Sequence, residues 1–379
     1  MMSDLLRQEI VQTAEVIVVK VGTNVLTNRQ GRLNLERISL LTGELWKLVA
    51  RGHYVVLVSS GAVGSGMGQL NLSRRPTEIP ELQAVAAIGQ GKLMEAYNTA
   101  LGLFGGLAAQ VLLTADDLSN RTRYLNTRNA LRAILDFHAL PIINENDTVS
   151  VEELHTTFGD NDRLAGLVAN LFESPLLILL TDVDGLFDGD PMRKSSQMVP
   201  LVPKWSPSLM QMAAEKRSPN SKGGMSSKLR AAQMVTAAGG NVIIANGDKP
   251  DTLSDIFAGK ETGTLFLAQG TRLPERKRWI GFAGQTKGKI LIDIGAAEAL
   301  TTKGKSLLPI GVLGCQGTFV KGDLVSVTDA SDMEIARGLC NYSAKEVVLI
   351  QGKKTEEIHT ILGHCPYRDV IHRDNLLIL

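Results

Sequence analysis

Lys20 closes an otherwise apolar run, Val16-Ile17-Val18-Val19, and a buried strand has no structural use for an ammonium group near its tip. Three more apolar runs end on polar groups. Residues 55–58 lead into Ser59-Ser60-Gly61, Pro141-Ile142-Ile143 into Asn144-Glu145-Asn146-Asp147, and residues 176–180 into Thr181-Asp182. Gly22-Thr23-Asn24 and Gly61-Ala62-Val63-Gly64 can turn backbone N–H groups toward an anion, although Gly-rich turns are most often only turns. Neither follows the GxxxxGK[ST] or GxGxxG phosphate motif. A further Gly-rich stretch, Ser221-Lys222-Gly223-Gly224-Met225-Ser226-Ser227-Lys228, enters a helix with Lys228 in its first turn. Positive charge there opposes the helix dipole, so either an anion such as ATP phosphate meets the lysine or it sits solvated on the surface. Gly159-Asp160-Asn161-Asp162 sets two acids beside an amide ahead of a helix. These residues could cap the helix, hold the lysines or accept an ammonium group. Together the groups point to handling of phosphate.

The elements that must position these groups alternate. Strands are expected at 16–19, 55–58, 108–113, 141–143, 176–180 and 242–245, from short β-branched or Leu-rich runs. Helical spacing marks 35–49, 82–100, 125–135, 163–172 and 227–238. This order predicts βαβ units and a mainly parallel sheet covered on both faces, with ligands beyond the carboxyl ends of the strands. Near Gly270 the pattern changes. Short β-like pieces at 290–294, 311–313, 324–327 and 347–350 are separated by Gly-rich turns, the reading of a small, mostly β module.

Composition sets the bounds. The 379 residues are 44% apolar, enough for a real core and long enough for two domains. Lys plus Arg (40) and Asp plus Glu (39) nearly cancel, so no global basic field favours nucleic acid. Cys315, Cys340 and Cys365 are odd in number and widely spaced, which reads as reduced, buried thiols rather than a disulfide or metal framework. His359, His364 and His372 read as surface or satisfied residues rather than ligands. The first fifteen residues carry acids and no continuous apolar stretch, and the longest apolar run is far too short for a bilayer. A soluble, cytoplasmic protein with no membrane association is expected.

The motifs Val19-Lys20-Val21-Gly22-Thr23-Asn24, Ser59-Ser60-Gly61-Ala62, Ile143-Asn144-Glu145-Asn146-Asp147, Gly159-Asp160-Asn161-Asp162, Leu180-Thr181-Asp182-Val183-Asp184-Gly185-Leu186 and Gly223-Gly224-Met225-Ser226-Ser227-Lys228 resemble, in order, those of the glutamate 5-kinases. These belong to the amino-acid kinase superfamily. Lys321-Gly322-Asp323-Leu324-Val325 and Ile335-Ala336-Arg337-Gly338-Leu339 resemble a PUA domain, and Arg276-Lys277-Arg278-Trp279-Ile280 resembles the junction of the two-domain enzymes. The likeness implies a three-layer α/β sandwich, the amino-acid kinase fold, over residues 1–270, followed by a PUA domain over 280–379. It implies that Lys20, Lys228 and Asp162 are catalytic, Asp162 ordering the two lysines. Ser60, Asp147 and Asn161 would bind glutamate. Lys20, Thr181, Asp182, Lys222, Gly223, Gly224, Met225, Ser226, Ser227 and Lys228 would meet the nucleotide. Asn220-Ser221-Lys222 departs from the family, where a more glycine-rich run is expected.

The activity so implied is ATP-dependent phosphorylation of the γ-carboxylate of L-glutamate, the first step of proline synthesis, with ATP and Mg²⁺ and no metal ligand from the protein. It also implies feedback inhibition by proline, a homo-oligomer, and a functional partnership with glutamyl-phosphate reductase. Other readings are another kinase of the superfamily, acting on acetylglutamate or a nucleoside monophosphate, or an RNA-binding protein working through the PUA module. A carboxylate nucleophile with a pKa of about 4.3 is already ionised at neutral pH, so the reaction needs no catalytic base. Its obstacle is charge repulsion, which calls for lysines and amide-lined loops rather than His or Cys.

Overall fold

The β-branched run Val16–Val21 forms strand β1 at the middle of a sheet, buried over its whole length. β1 pairs in parallel with β2 (Tyr54–Ser59) on one side and β5 (Pro175–Thr181) on the other, with Lys20 in register with Val58 and Leu179. A computed structural model describes residues 2–28, 32–150, 160–193, 195–214, 224–270 and 272–379 of the chain. With β3 (Ala108–Leu113), β4 (Leu140–Glu145), β6 (Leu201–Val202), β7 (Asn241–Asn246) and β8 (Thr264–Phe266), the order is β3-β4-β2-β1-β5-β7-β8-β6. Every pairing from β3 to β7 is parallel. β8 turns antiparallel to β7 and carries β6 with it.

Strand alternation then decides where the lysine goes. Ile17, Val19 and Val21 share one face and pack with Leu41, Leu45, Leu93 and Tyr97 of the helices Leu35–Ala50 and Ile79–Gly102. Val16, Val18 and Lys20 therefore face the other side. The helix Asp160–Ala169 lies there against β1 and against the helix Met225–Ala237. The sheet with a helical layer on each face is the expected three-layer sandwich.

The described chain divides into two compact units, Met1–Asp117 with Tyr124–Arg272, and Leu118–Arg123 with Leu273–Leu379. The second holds its own sheet, in the order β10-β9-β11-β12-β13, from β9 (Gly288–Ile292), β10 (Val312–Gly317), β11 (Leu324–Thr328), β12 (Glu334–Leu339) and β13 (Leu376–Ile378). Its core gathers Ile290, Ile292, Phe319, Val325, Val327 and Tyr342. One expected strand is a helix. Residues 347–350 lie in the helix Ala344–Ile350, which begins in a capping box. Ser343 Oγ accepts from the Glu346 N–H, and the Glu346 carboxylate accepts from the Ser343 N–H. A run of four apolar residues carries too little periodicity to outweigh that cap. Four strands, β6, β8, β12 and β13, and the opening helix Met2–Thr13 were not expected from the sequence. Of the three thiols expected to be buried, Cys340 is, while Cys315 is half-buried and Cys365 exposed.

Candidate active site

The parallel strands bring four tips to one edge in the spatial order β4, β2, β1, β5. The polar residues at those tips therefore line up as Asp147, Ser60, Lys20 and Thr181, all buried or nearly so. The Ser60 N–H donates to the Val21 carbonyl, tying the exit of β2 to the exit of β1. Gly61 follows with φ +106°, a left-handed turn that lets the chain reverse at once into the helix Ala62–Gln69. That helix crosses the helix Ile79–Gly102 so closely that a Cβ on Gly66 would stand 1.9 Å from the Val85 carbonyl oxygen. The close crossing sets the floor under Ser60.

Asp162 is the hub. It sits in the first turn of its helix with no exposed surface, and its Oδ1 pairs with Lys20 Nζ at 2.7 Å. Lys228 Nζ lies 3.2 Å from Oδ2, and Ser227 Oγ donates to the same oxygen at 2.6 Å. Lys20 and Lys228 are 5% and 8% exposed. Burial alone would raise the Asp162 pKa, but the ammonium groups of Lys20 and Lys228 outweigh it and hold the carboxyl below its ordinary value. Two cations thus share one buried carboxylate in a site almost closed to water, an arrangement well placed to take up a polyanion. Lys228, in the opening turn of its helix, thus meets an anion of the protein itself.

One residue earlier, Asn161 reaches the other way along the strand tips. Its Nδ2 donates to Ser60 Oγ at 3.0 Å and to Asn144 Oδ1 at 3.3 Å. Consecutive residues of one helix start therefore divide the work: Asn161 binds the β2–β4 side, Asp162 the lysines. Toward β5 and β7, Thr181 Oγ1 donates to Asp182 Oδ1 at 3.0 Å, and Asn24 Nδ2 donates to Asp182 Oδ2 at 3.3 Å. The Gly247 N–H donates to the Thr181 carbonyl, and Asn246 Nδ2 and Lys249 Nζ both meet Asp184 Oδ1.

Of the residues singled out in the sequence, Lys20, Asp162, Ser227 and Lys228 form one bonded set and Ser60 with Asn161 another, brought side by side because Asn161 and Asp162 are neighbours in the chain. Thr181 and Asp182 flank it on the β5 side and Asp147 on the β4 side. Gly224 caps the helix Met225–Ala237, whose first residues are Met225, Ser226 and Ser227. Lys222 and Gly223 lie outside the described residues, as do Asn220 and Ser221. Sequence reasoning missed Gln90, whose Oε1 accepts from Asn144 Nδ2 at 2.9 Å. The available signal was a polar residue on the apolar stripe Ala86, Gly89, Leu93, Tyr97 of a buried helix face.

The amino acid kinase family matches residues 15–246, and the PUA domain matches 288–362. A glutamate 5-kinase of Rhodopirellula baltica is 46% identical over 373 residues, covering 98% of this chain and 96% of the relative. One from a Thermoanaerobacter species is 48% identical over 364 residues, 96% and 97% of the two chains. One from Desulfotalea psychrophila is 46% identical over 376 residues, 99% of each.

Proposed function

The chain belongs to the amino acid kinase family, alongside its glutamate 5-kinases, and from that premise we propose that it transfers the γ-phosphoryl group of ATP to the γ-carboxylate of L-glutamate. The observation that carries this reading is the buried Lys20–Asp162–Lys228 triad, two ammonium groups from separate elements fixed on one carboxylate.

A glutamate carboxylate oxygen attacks the γ-phosphorus in line, the bond from phosphorus to the β-phosphate oxygen breaks, and ADP leaves with that electron pair. No proton moves, so the site needs no base. What it must do is bring an anion against an anion. Lys20 and Lys228 would touch the transferred phosphoryl group, and their charge counts most as negative charge shifts toward the leaving oxygen. Asp162 holds both ammonium groups in place before substrate arrives, so little reorganisation accompanies the reaction. Ser60 and Asn161 would take the substrate's polar end. Asp147 would neutralise its ammonium, a group that N-acetylglutamate lacks and a nucleoside monophosphate replaces with phosphate. Thr181, Asp182 and the residues from Gly224 to Lys228 would border the nucleotide, with Lys222 and Gly223 completing that loop.

Mg²⁺ would be held mainly by the phosphates and water and would supply further neutralisation there. No described helix is long and apolar enough to cross a membrane. The product acyl phosphate is labile. A reductase that consumes it, feedback by proline and self-association complete the proposal. Trapping the acyl phosphate with hydroxylamine tests it: hydroxamate should form with ATP and glutamate, and neither N-acetylglutamate nor UMP should replace glutamate. Equal product from N-acetylglutamate would overturn the substrate assignment.

A further inference from the structure

Beneath the substrate end of the site runs a chain of three buried amides, Gln90, Asn144 and Asn161, which are 8%, 2% and 5% exposed. Its orientation is set by a group that cannot be reversed. The Glu145 backbone N–H donates to Asn144 Oδ1 at 2.9 Å, so that atom must be the oxygen. Asn144 Nδ2 then points at Gln90, which must present Oε1 to it. The same Asn144 oxygen also receives Asn161 Nδ2, whose second bond goes to Ser60 Oγ. Both donor directions of Asn161 are thereby used on the protein. Its Oδ1 is left buried, with no donor among the described residues.

We infer that Gln90 is a positioning residue for substrate: through Asn144 it fixes the Asn161 amide so that Oδ1 accepts a hydrogen bond from the substrate's α-ammonium. This rests on the glutamate reading above. An ammonium group has three donors, so Asn161 Oδ1 and the Asp147 carboxylate can both be filled by one substrate. A bare buried acceptor is unfavourable until such a donor arrives, which ties its orientation to recognition of the ammonium end. Gln90 lies on a helix of the opposite layer and meets the substrate only through Asn144. Losing its oxygen would leave Asn144 Nδ2 buried without an acceptor, so that the Glu145 N–H alone holds the amide and its grip on Asn161 loosens.

The test compares wild type with Gln90→Met, which keeps the length but removes the acceptor, and Gln90→Glu, which keeps an oxygen there. Three constants are read: KM for glutamate, KM for ATP, and the inhibition constant of glutarate, the same dicarboxylate without its ammonium. Gln90→Met should raise the glutamate KM roughly tenfold, with a smaller loss in kcat. The ATP and glutarate constants should stay within about twofold, and Gln90→Glu should recover most of the glutamate KM. An unchanged glutamate KM in Gln90→Met, or equal loss of glutamate and glutarate binding, would overturn the inference. Wild type that turns over ATP without using glutamate would instead overturn the substrate assignment beneath it.

Discussion

A single carboxylate with no exposed surface governs two lysines from separate elements, and the account is decided first at that scale. Removing the charge while keeping the shape, as in Asp162→Asn, takes away the buried anion that both ammonium groups share. Loss of about 3–5 kcal/mol of stability is expected, read from denaturant unfolding, together with loss of turnover. The pH dependence follows from the sign of the Asp162 shift. The folded carboxyl titrates below its ordinary value of 3.8, so its stabilising contribution is fully present above that value and is lost as pH falls below it. Unfolding titrations between pH 5 and 8 should show no step from this group. A step there that vanished in Asp162→Asn would contradict the assignment. At the substrate end, Asp147→Ala should raise the glutamate KM by about tenfold or more while the ATP KM holds, since only glutamate loses an ion pair. Lys20 was legible in the sequence because charge at the end of an apolar run needs a reason. The link between Asn144 and Gln90 was not, because it joins elements 54 positions apart that meet across the layers.

Elements place these groups through two features that composition hides. The reversal at Gly61 and the close approach of Gly66 and Gly89 lock one helix pair beneath Ser60. A Cβ on Gly89 would stand 1.9 Å from the Ala62 carbonyl oxygen, so Gly89→Ala must force the helices apart. A loss of roughly 1–3 kcal/mol on thermal or denaturant unfolding is expected, with a weaker glutamate KM because Ser60 rides on that pair. Strand positions were readable from β-branched runs bounded by turn residues, and β3 matches its expected span of 108–113. The helix at 344–350 was misread because its cap, Ser343 with Glu346, lies outside the apolar run that looked like a strand.

At the scale of the whole molecule, the change of pattern near Gly270 marked a second module, and the structure holds two units with separate cores. Every group placed in the site comes from the first unit. Ile292, fully buried in the second core, should therefore tolerate truncation differently from a site residue. Ile292→Ala is expected to cost about 2–5 kcal/mol in the stability of the second unit. Its KM values for glutamate and ATP should match wild type at temperatures where both units stay folded. The measurement closest to the centre is acyl-phosphate trapping by hydroxylamine with wild type and Lys228→Met, run side by side on folded protein. Wild type should form hydroxamate only with ATP and glutamate together, and Lys228→Met should form it about a hundredfold or more slowly, as expected for a lost contact to the moving charge. Normal turnover by Lys228→Met would show that the paired lysines do not carry the phosphoryl group.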